Sequence, residues 1–157
     1  MQYLEEVLPE HIWVEAEKQA TRSTLKNYRT GAVIFLKKDF TILARGCSYI
    51  PNVGGIMSVH AEGHAIDNFN KEYSGDYQTG ILVVCINKAD NYAFSARPCA
   101  ACADRLSTYG IDTVYYAERV NDGTWVCNVE TPKELVDRTD KSRTSYRKYA
   151  KEMRIVK

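Results

Sequence analysis

The chain has 157 residues, 45% hydrophobic and 26% charged, with a formal net charge of +1. Those values are ordinary for one soluble globular domain long enough to bury a substantial core. No apolar run approaches the roughly 20 residues that span a bilayer, so a membrane-spanning helix is excluded. The opening stretch Met1–Glu6 lacks the basic and apolar regions of a signal peptide, and the expected compartment is the cytoplasm. Five cysteines is an odd number. In a reducing compartment a Cys-x-x-Cys then speaks for metal or redox chemistry rather than a structural disulfide. Charge is unevenly spread: residues 131–157 hold nine Lys or Arg against four Asp or Glu, and the remainder holds 12 against 16. Such a basic segment is more often a solvated helix face than a phosphate-binding one.

In chain order, Leu8-Pro9-Glu10 has the residues of a helix start, and the helix is expected to run to about Lys26. Its inward positions are Ile12, Ala16, Gln19/Ala20 and Ser23, with Trp13 alongside. Thr30–Leu36 is a nearly continuous apolar run, as in a strand covered on both faces. Lys37-Lys38-Asp39 turns it back into Thr41–Cys47, so the pair reads as a hairpin. Residues 48–58 carry Pro51, Gly54 and Gly55 and read as a loop. A helix from about Val59 to Asn70 follows, then a strand at Ile81–Ile86 and a loop at 87–97. Pro98 opens a third helix that ends near Gly110. Strands at Thr113–Ala117 and Thr124–Val129 flank the turn residues Asn121-Asp122-Gly123, which favours an antiparallel final pair. Thr131-Pro132-Lys133-Glu134 resembles a capping box, and the rest of the basic segment is expected to be helical.

This alternation predicts an α/β domain of three α/β/α layers: one mixed five-stranded sheet with helices on both faces. The passages leading to residues 81 and 113 should be parallel crossovers. One domain is expected over residues 1–157, with a core at about 22–129 and a helical basic extension at 131–157.

The stretch on which the chemistry turns is Val59-His60-Ala61-Glu62-Gly63-His64, read together with Arg97-Pro98-Cys99-Ala100-Ala101-Cys102. One imidazole and two thiols leave a tetrahedral ion one open position, which is the arrangement of a catalytic zinc rather than a structural one. Cys99 and Cys102 are three apart and share a helix face at its first turn. Glu62 stands beside the histidine and can handle protons. A lone His-x-Glu or Cys-x-x-Cys is a weak signal, and a thioredoxin-like reading leaves His60 and Glu62 unused. A four-thiolate site needs a second close pair, whereas Cys47, Cys85 and Cys127 are scattered. His64 has helical spacing from His60, but the cysteines already complete the set. Cys47 and Cys85 lie in apolar strands and read as packing.

His-x-Glu with Pro-Cys-x-x-Cys is the signature of zinc-dependent nucleobase deaminases. Over residues 22–129 the chain resembles the cytidine and deoxycytidylate deaminase superfamily, in Gly31–Ile34, Ala44–Cys47, His60-Ala61-Glu62, Pro98–Cys102 and Val114–Tyr116. The resemblance implies one zinc per chain on His60, Cys99 and Cys102, with Glu62 as proton carrier, and a homo-oligomer. The reaction it implies is hydrolysis at the amino-bearing ring carbon of cytosine, with Glu62 moving protons to a ring nitrogen and to the departing ammonia.

Subfamily marks are mixed. Deoxycytidylate and tRNA-adenosine deaminases carry Asn where this chain has Ser48. Nucleoside deaminases carry Asn-Val-Glu-Asn where it has Asn52-Val53-Gly54-Gly55. Ser48, Tyr49 and Asn52, between the second strand and His60, are candidates for sugar or base contact, with Ala61 beside the ligand. Arg29 is the candidate for a phosphate. The expected substrate is a free cytosine nucleoside or nucleotide. A base within RNA or single-stranded DNA is the alternative, and a zinc-stabilised module without activity is a third class that Glu62 argues against.

Overall fold

Two strands set the centre of the sheet because their side chains are apolar on both faces. The computed structural model describes residues 8–51, 58–69, 78–89, 92, 95–119, 125–137 and 151–152. Strand β1 (Arg29–Leu36) is buried from Gly31 onward, and β3 (Thr79–Ile86) is buried along its whole length. They pair antiparallel, and β2 (Ile42–Cys47) adds to the free edge of β1 as the expected hairpin. Strand β4 (Thr113–Arg119) lies parallel to β3, and β5 (Trp125–Glu130) antiparallel to β4. The full order is β2-β1-β3-β4-β5-β6. Because β1 is antiparallel to both neighbours, β2 and β3 run the same way with β1 between them. The passage through α2 (Ala61–Asp67) is thus a parallel crossover, as is the one through α3 (Ala100–Thr108).

Helix α1 (Glu10–Thr21) covers one face, packing Ile12, Trp13, Ala16 and Ala20 on Val33, Phe35, Leu82 and Val84. The opposite face carries α2 and α3, with Ala61, Ala65, Ala103 and Leu106 on Ala32, Ile34, Ile81 and Val83. A short α4 (Pro132–Asp137) lies against α3. It opens with the reciprocal capping box expected there: Glu134 N–H donates to Thr131 Oγ1 at 3.1 Å, and Thr131 N–H donates to Glu134 Oε1 at 3.0 Å. Three layers around a mixed sheet are therefore present.

The differences are local. Helix α1 ends at Thr21 instead of running to Lys26, because Ser23 turns its hydroxyl to Ser48 Oγ at 2.9 Å across the sheet edge. Helix α2 starts two residues late, since Val59 is held in a bridge with Tyr49. Pro98 lies before the N-cap of α3 rather than in its first turn. At the far end Lys151–Glu152 is not helical but a two-residue strand, β6, on β5. An edge strand has unpaired peptide groups that can recruit such a segment. The Asn121-Asp122-Gly123 turn and residues 138–150 lie outside the described residues.

Two glycines decide how closely the helices approach. A Cβ on Gly31 would stand 2.1 Å from Ala16 O in α1, and one on Gly46 would stand 2.3 Å from Ala65 N and 2.5 Å from Ala61 O in α2. Both obstacles are helix backbone, which cannot step aside alone. On Gly63 a Cβ would meet only the tip of Arg105, at 3.0 Å. Gly31→Ala and Gly46→Ala should each lower unfolding stability by about 1–3 kcal/mol or more, the usual range for overpacking. Gly63→Ala should be neutral or stabilising, since Ala is the better helix former. Urea melts measure all three, and a Gly46→Ala protein as stable as the parent would contradict the close approach of α2.

Candidate active site

Helices α2 and α3 begin at one place on the same face of the sheet. His60 is the N-cap of α2 and Cys99 the N-cap of α3; both have extended backbone angles, and neither caps its helix with its side chain. These side chains are free to serve something else. Cys102 follows in the first turn of α3 and is buried, while His60 and Cys99 are exposed. His60 Nδ1 stands 3.3 Å from Cys102 Sγ and 3.7 Å from Cys99 Sγ. All three donor atoms lie within 4.8 Å of one another.

Zinc bonds to imidazole nitrogen and thiolate at tetrahedral angles place N and S about 3.5 Å apart. The two observed separations bracket that value, so the residues fit a single tetrahedral ion. Among the described residues no fourth His, Cys, Asp or Glu joins the group, which leaves one position open. Nδ1 is the ring nitrogen that faces the sulfurs and would bind the ion.

Glu62, in the first turn of α2, is 5% exposed. Burial pushes its carboxyl above the ordinary value of 4.5, opposed in part by its own backbone N–H, by His60 and by a hydrogen bond from Cys102. The Cys102 thiol is likewise pushed up, first by burial and then by the charges of Glu62 and Cys99. Left to themselves Glu62 and Cys102 favour their neutral forms. A divalent cation reverses that preference, because it binds thiolates and releases their protons.

His60, Glu62 and Cys99 also line a cleft of about 240 Å³, together with Tyr28, Thr30, Ser48, Ala61, Ser95 and Arg97. Of the residues singled out for substrate contact, Ser48 and Ala61 are on its wall. The Ser48 hydroxyl is engaged by Ser23 Oγ and by the Thr30 N–H at 3.0 Å, so it braces the wall from behind. Tyr49 and Arg29 are not among the lining residues. Tyr49 bridges to Val59 and meets the His64 ring edge-on at 5.0 Å, and Arg29 Nη2 donates to the Asn87 carbonyl at 2.8 Å. Asn52 lies outside the described residues.

His64 is turned away from the ligand cluster; its Nδ1 accepts the Cys47 N–H at 3.1 Å. Cys85 is buried as expected, whereas Cys47 is only half-buried, at the edge of the sheet. Tyr28, Ser95 and Arg97 escaped sequence reasoning. Arg97 could have been found as the residue just before Pro98-Cys99, but nothing local marked the other two.

A sequence model of the cytidine and deoxycytidylate deaminase zinc-binding region matches residues 8–118. The chain belongs to this family. It is a deaminase of the cytidine type, a hydrolase of C–N bonds in cyclic amidines, and the matched region is the one that binds the family's zinc. Among solved structures, this deaminase is similar to the cytidine deaminase of Burkholderia pseudomallei, with 18% identity and a TM-score of 0.56 over 80% of this chain and 94% of that one. A dCMP deaminase of the cyanophage S-TIM5, in complex with dCMP and dUMP, matches at 18% identity and a TM-score of 0.50 over 71% of this chain and 81% of that one. At such identities the likeness is one of fold. No curated protein sequence matches the chain significantly. Among the described residues no helix is long and apolar enough to cross a membrane.

Metal analysis of purified variants checks the donor set. One zinc per chain is expected in the parent, near-complete loss in Cys99→Ala and Cys102→Ala, and retention in Cys47→Ala and Cys85→Ala. Full zinc in Cys99→Ala would remove that residue from the set.

Proposed function

We propose that this enzyme hydrolyses the amino group of cytosine in a free nucleoside or nucleotide, with His60, Cys99 and Cys102 holding zinc and Glu62 carrying the protons. The observation that supports this most is the buried Glu62 carboxyl beside three donor atoms spaced for a tetrahedral ion. Bound there, zinc supplies a Lewis acid that makes water acidic enough to act as a nucleophile near neutral pH.

Glu62 then has a sequence of transfers. It accepts a proton from the attacking water and donates it to the ring nitrogen next to the amino-bearing carbon. It takes the second water proton as the new carbonyl forms and gives it to the departing amine, which leaves as ammonia. Each transfer needs a group that both takes and gives a proton near neutral pH, and burial moves a carboxyl in that direction.

A free mononucleoside or mononucleotide is favoured over a polynucleotide by charge. Arg97 is the one Lys or Arg among the described residues that line the cleft. Outside residues 131–157 the chain has more acidic than basic residues. A polynucleotide enzyme holds several phosphates at once and loses affinity steeply with salt. The solved neighbours include both a cytidine deaminase and a dCMP deaminase, so both substrate states stay within the proposal.

Ammonia release on cytidine, deoxycytidine, CMP, dCMP, adenosine and cytosine-containing oligonucleotides tests this reading. Turnover of at least one cytosine nucleoside or mononucleotide is expected, with only modest dependence on salt. Activity confined to an oligonucleotide and lost between low and physiological salt would move the enzyme to the nucleic-acid class. Glu62→Gln should keep the fold and the zinc but lose at least the 10²–10⁴-fold that general acid–base catalysis typically contributes. Activity within a few-fold of the parent would mean that another group moves the protons.

A further inference from the structure

Cys99 differs from Cys102 in what holds it. Cys102 sits inside α3, but Cys99 is its N-cap, so its sulfur is placed by the extended segment that leads into the helix. That segment is pinned to the end of β4. Ala96 N–H donates to the Ala117 carbonyl at 2.9 Å, and Ser95 forms a backbone bridge with Glu118. The Ser95 hydroxyl donates to Glu118 Oε2 at 2.9 Å and accepts the Arg97 N–H at 3.2 Å. One serine oxygen thus links the cleft wall, the residue two before Cys99, and a carboxylate in the sheet.

Glu118 is only 2% exposed, and Asn128, 1% exposed, donates to its other oxygen at 3.2 Å. The two are diagonal neighbours across β4 and β5, since Glu118 pairs with Val126 and Asn128 with Tyr116. A buried carboxylate is a costly way to fasten a loop; apolar packing would fasten it with less desolvation. What the carboxyl group adds is direction: its two oxygens engage the Ser95 hydroxyl and the Asn128 amide at separate, defined places. Conformational specificity of that kind is useful where a ligand atom must sit within tenths of an ångström.

We propose that Glu118, acting through Ser95, is a positioning residue for the metal centre: it fixes segment 95–99 and with it the place of the Cys99 sulfur. The proposal rests on the reading of Cys99 as a zinc ligand. Neither Glu118 nor Ser95 reaches the ligand cluster directly, so their effect is on how well the donor set is preorganised. Partners hydrogen-bonded directly to a ligand typically contribute 10–100-fold to metal affinity, and that range sets the scale for a segment that carries the ligand itself.

A core residue on the other face of the sheet provides the control. Ile12 is fully buried in α1, in the apolar cluster opposite the one that contains Ala96. Zinc affinity is measured by competition with a chromophoric chelator, alongside the melting temperature of the metal-free protein. Ser95→Ala should weaken zinc 10–100-fold. Glu118→Gln, which keeps a neutral acceptor for the serine, should weaken it less, and Ser95→Thr should stay near the parent. The double variant Ser95→Ala/Glu118→Gln should be no worse than Ser95→Ala alone, because both act along one path. Ile12→Val should lower the melting temperature and leave zinc affinity unchanged.

Parental zinc affinity in Ser95→Ala, with or without a change in melting temperature, overturns the proposal. So does an equal loss in Ile12→Val, which would make the effect one of general stability. Should Glu118→Gln fail to fold, Ser95→Ala and Ser95→Thr decide the matter alone. Retention of zinc by Cys99→Ala would instead bring down the ligand assignment, a different failure visible in a different variant.

Discussion

A buried carboxyl beside a buried thiol opposes the ionisation of that thiol, and the architecture of this deaminase is arranged around that constraint. Burial drives both Glu62 and Cys102 toward their neutral forms, and the charge of Glu62 adds to the effect on Cys102. The fold nevertheless brings a second thiol and an imidazole to the same point. A cation resolves the conflict by taking the thiolates as ligands and stabilising the carboxylate beside them. The free energy of metal binding and the shape of the site are therefore one problem: the donor set is unfavourable as an empty cluster and complementary to a single tetrahedral ion.

Holding such a cluster together requires that the two helix starts not drift apart. The sheet does this with a close contact. Gly46 lets the backbone of α2 lie directly on β2, while Ala32 and Ala44 keep the surface beneath it flat. Helix α3 is set by Leu106 and Ala103 in the same core and by its short contact with α4. Interiors packed at crystal-like density transmit displacement rather than absorb it. A shift of either helix is accordingly a shift of its N-cap residue, and those N-caps are His60 and Cys99.

Much of this was legible in the order of residues. The continuous apolar runs Ala32–Leu36 and Ile81–Ile86 became the central pair of strands, because an inward face on both sides demands such runs. Thr131 and Glu134 announced a helix start and make that capping box. Helix ends were less legible. Val59 has nothing that forbids a helix, yet it is held by Tyr49, ten residues back, and the helix waits until Ala61. Similarly, Ser23 leaves α1 for a partner 25 residues away. In each case a tertiary hydrogen bond outcompetes a local preference of a few tenths of a kcal/mol.

The sequence by itself determined the chemistry available: an imidazole, a carboxyl two residues on and two thiols three apart, on segments whose alternation with strands implies an α/β sandwich. Those spacings are short, and short spacings are governed by the helix and by chain geometry, which residue order encodes directly. Only the tertiary structure decided which polar residues face the cleft. Ser48 is spent on Ser23 and Thr30, Arg29 on the Asn87 carbonyl and His64 on Cys47, while Ser95 and Arg97 come to the wall. Whether a hydroxyl or a guanidinium is available to a substrate depends on the hydrogen bonds it already makes to residues distant in the chain. Those pairings follow from strand register and helix packing, which no local pattern of residues specifies.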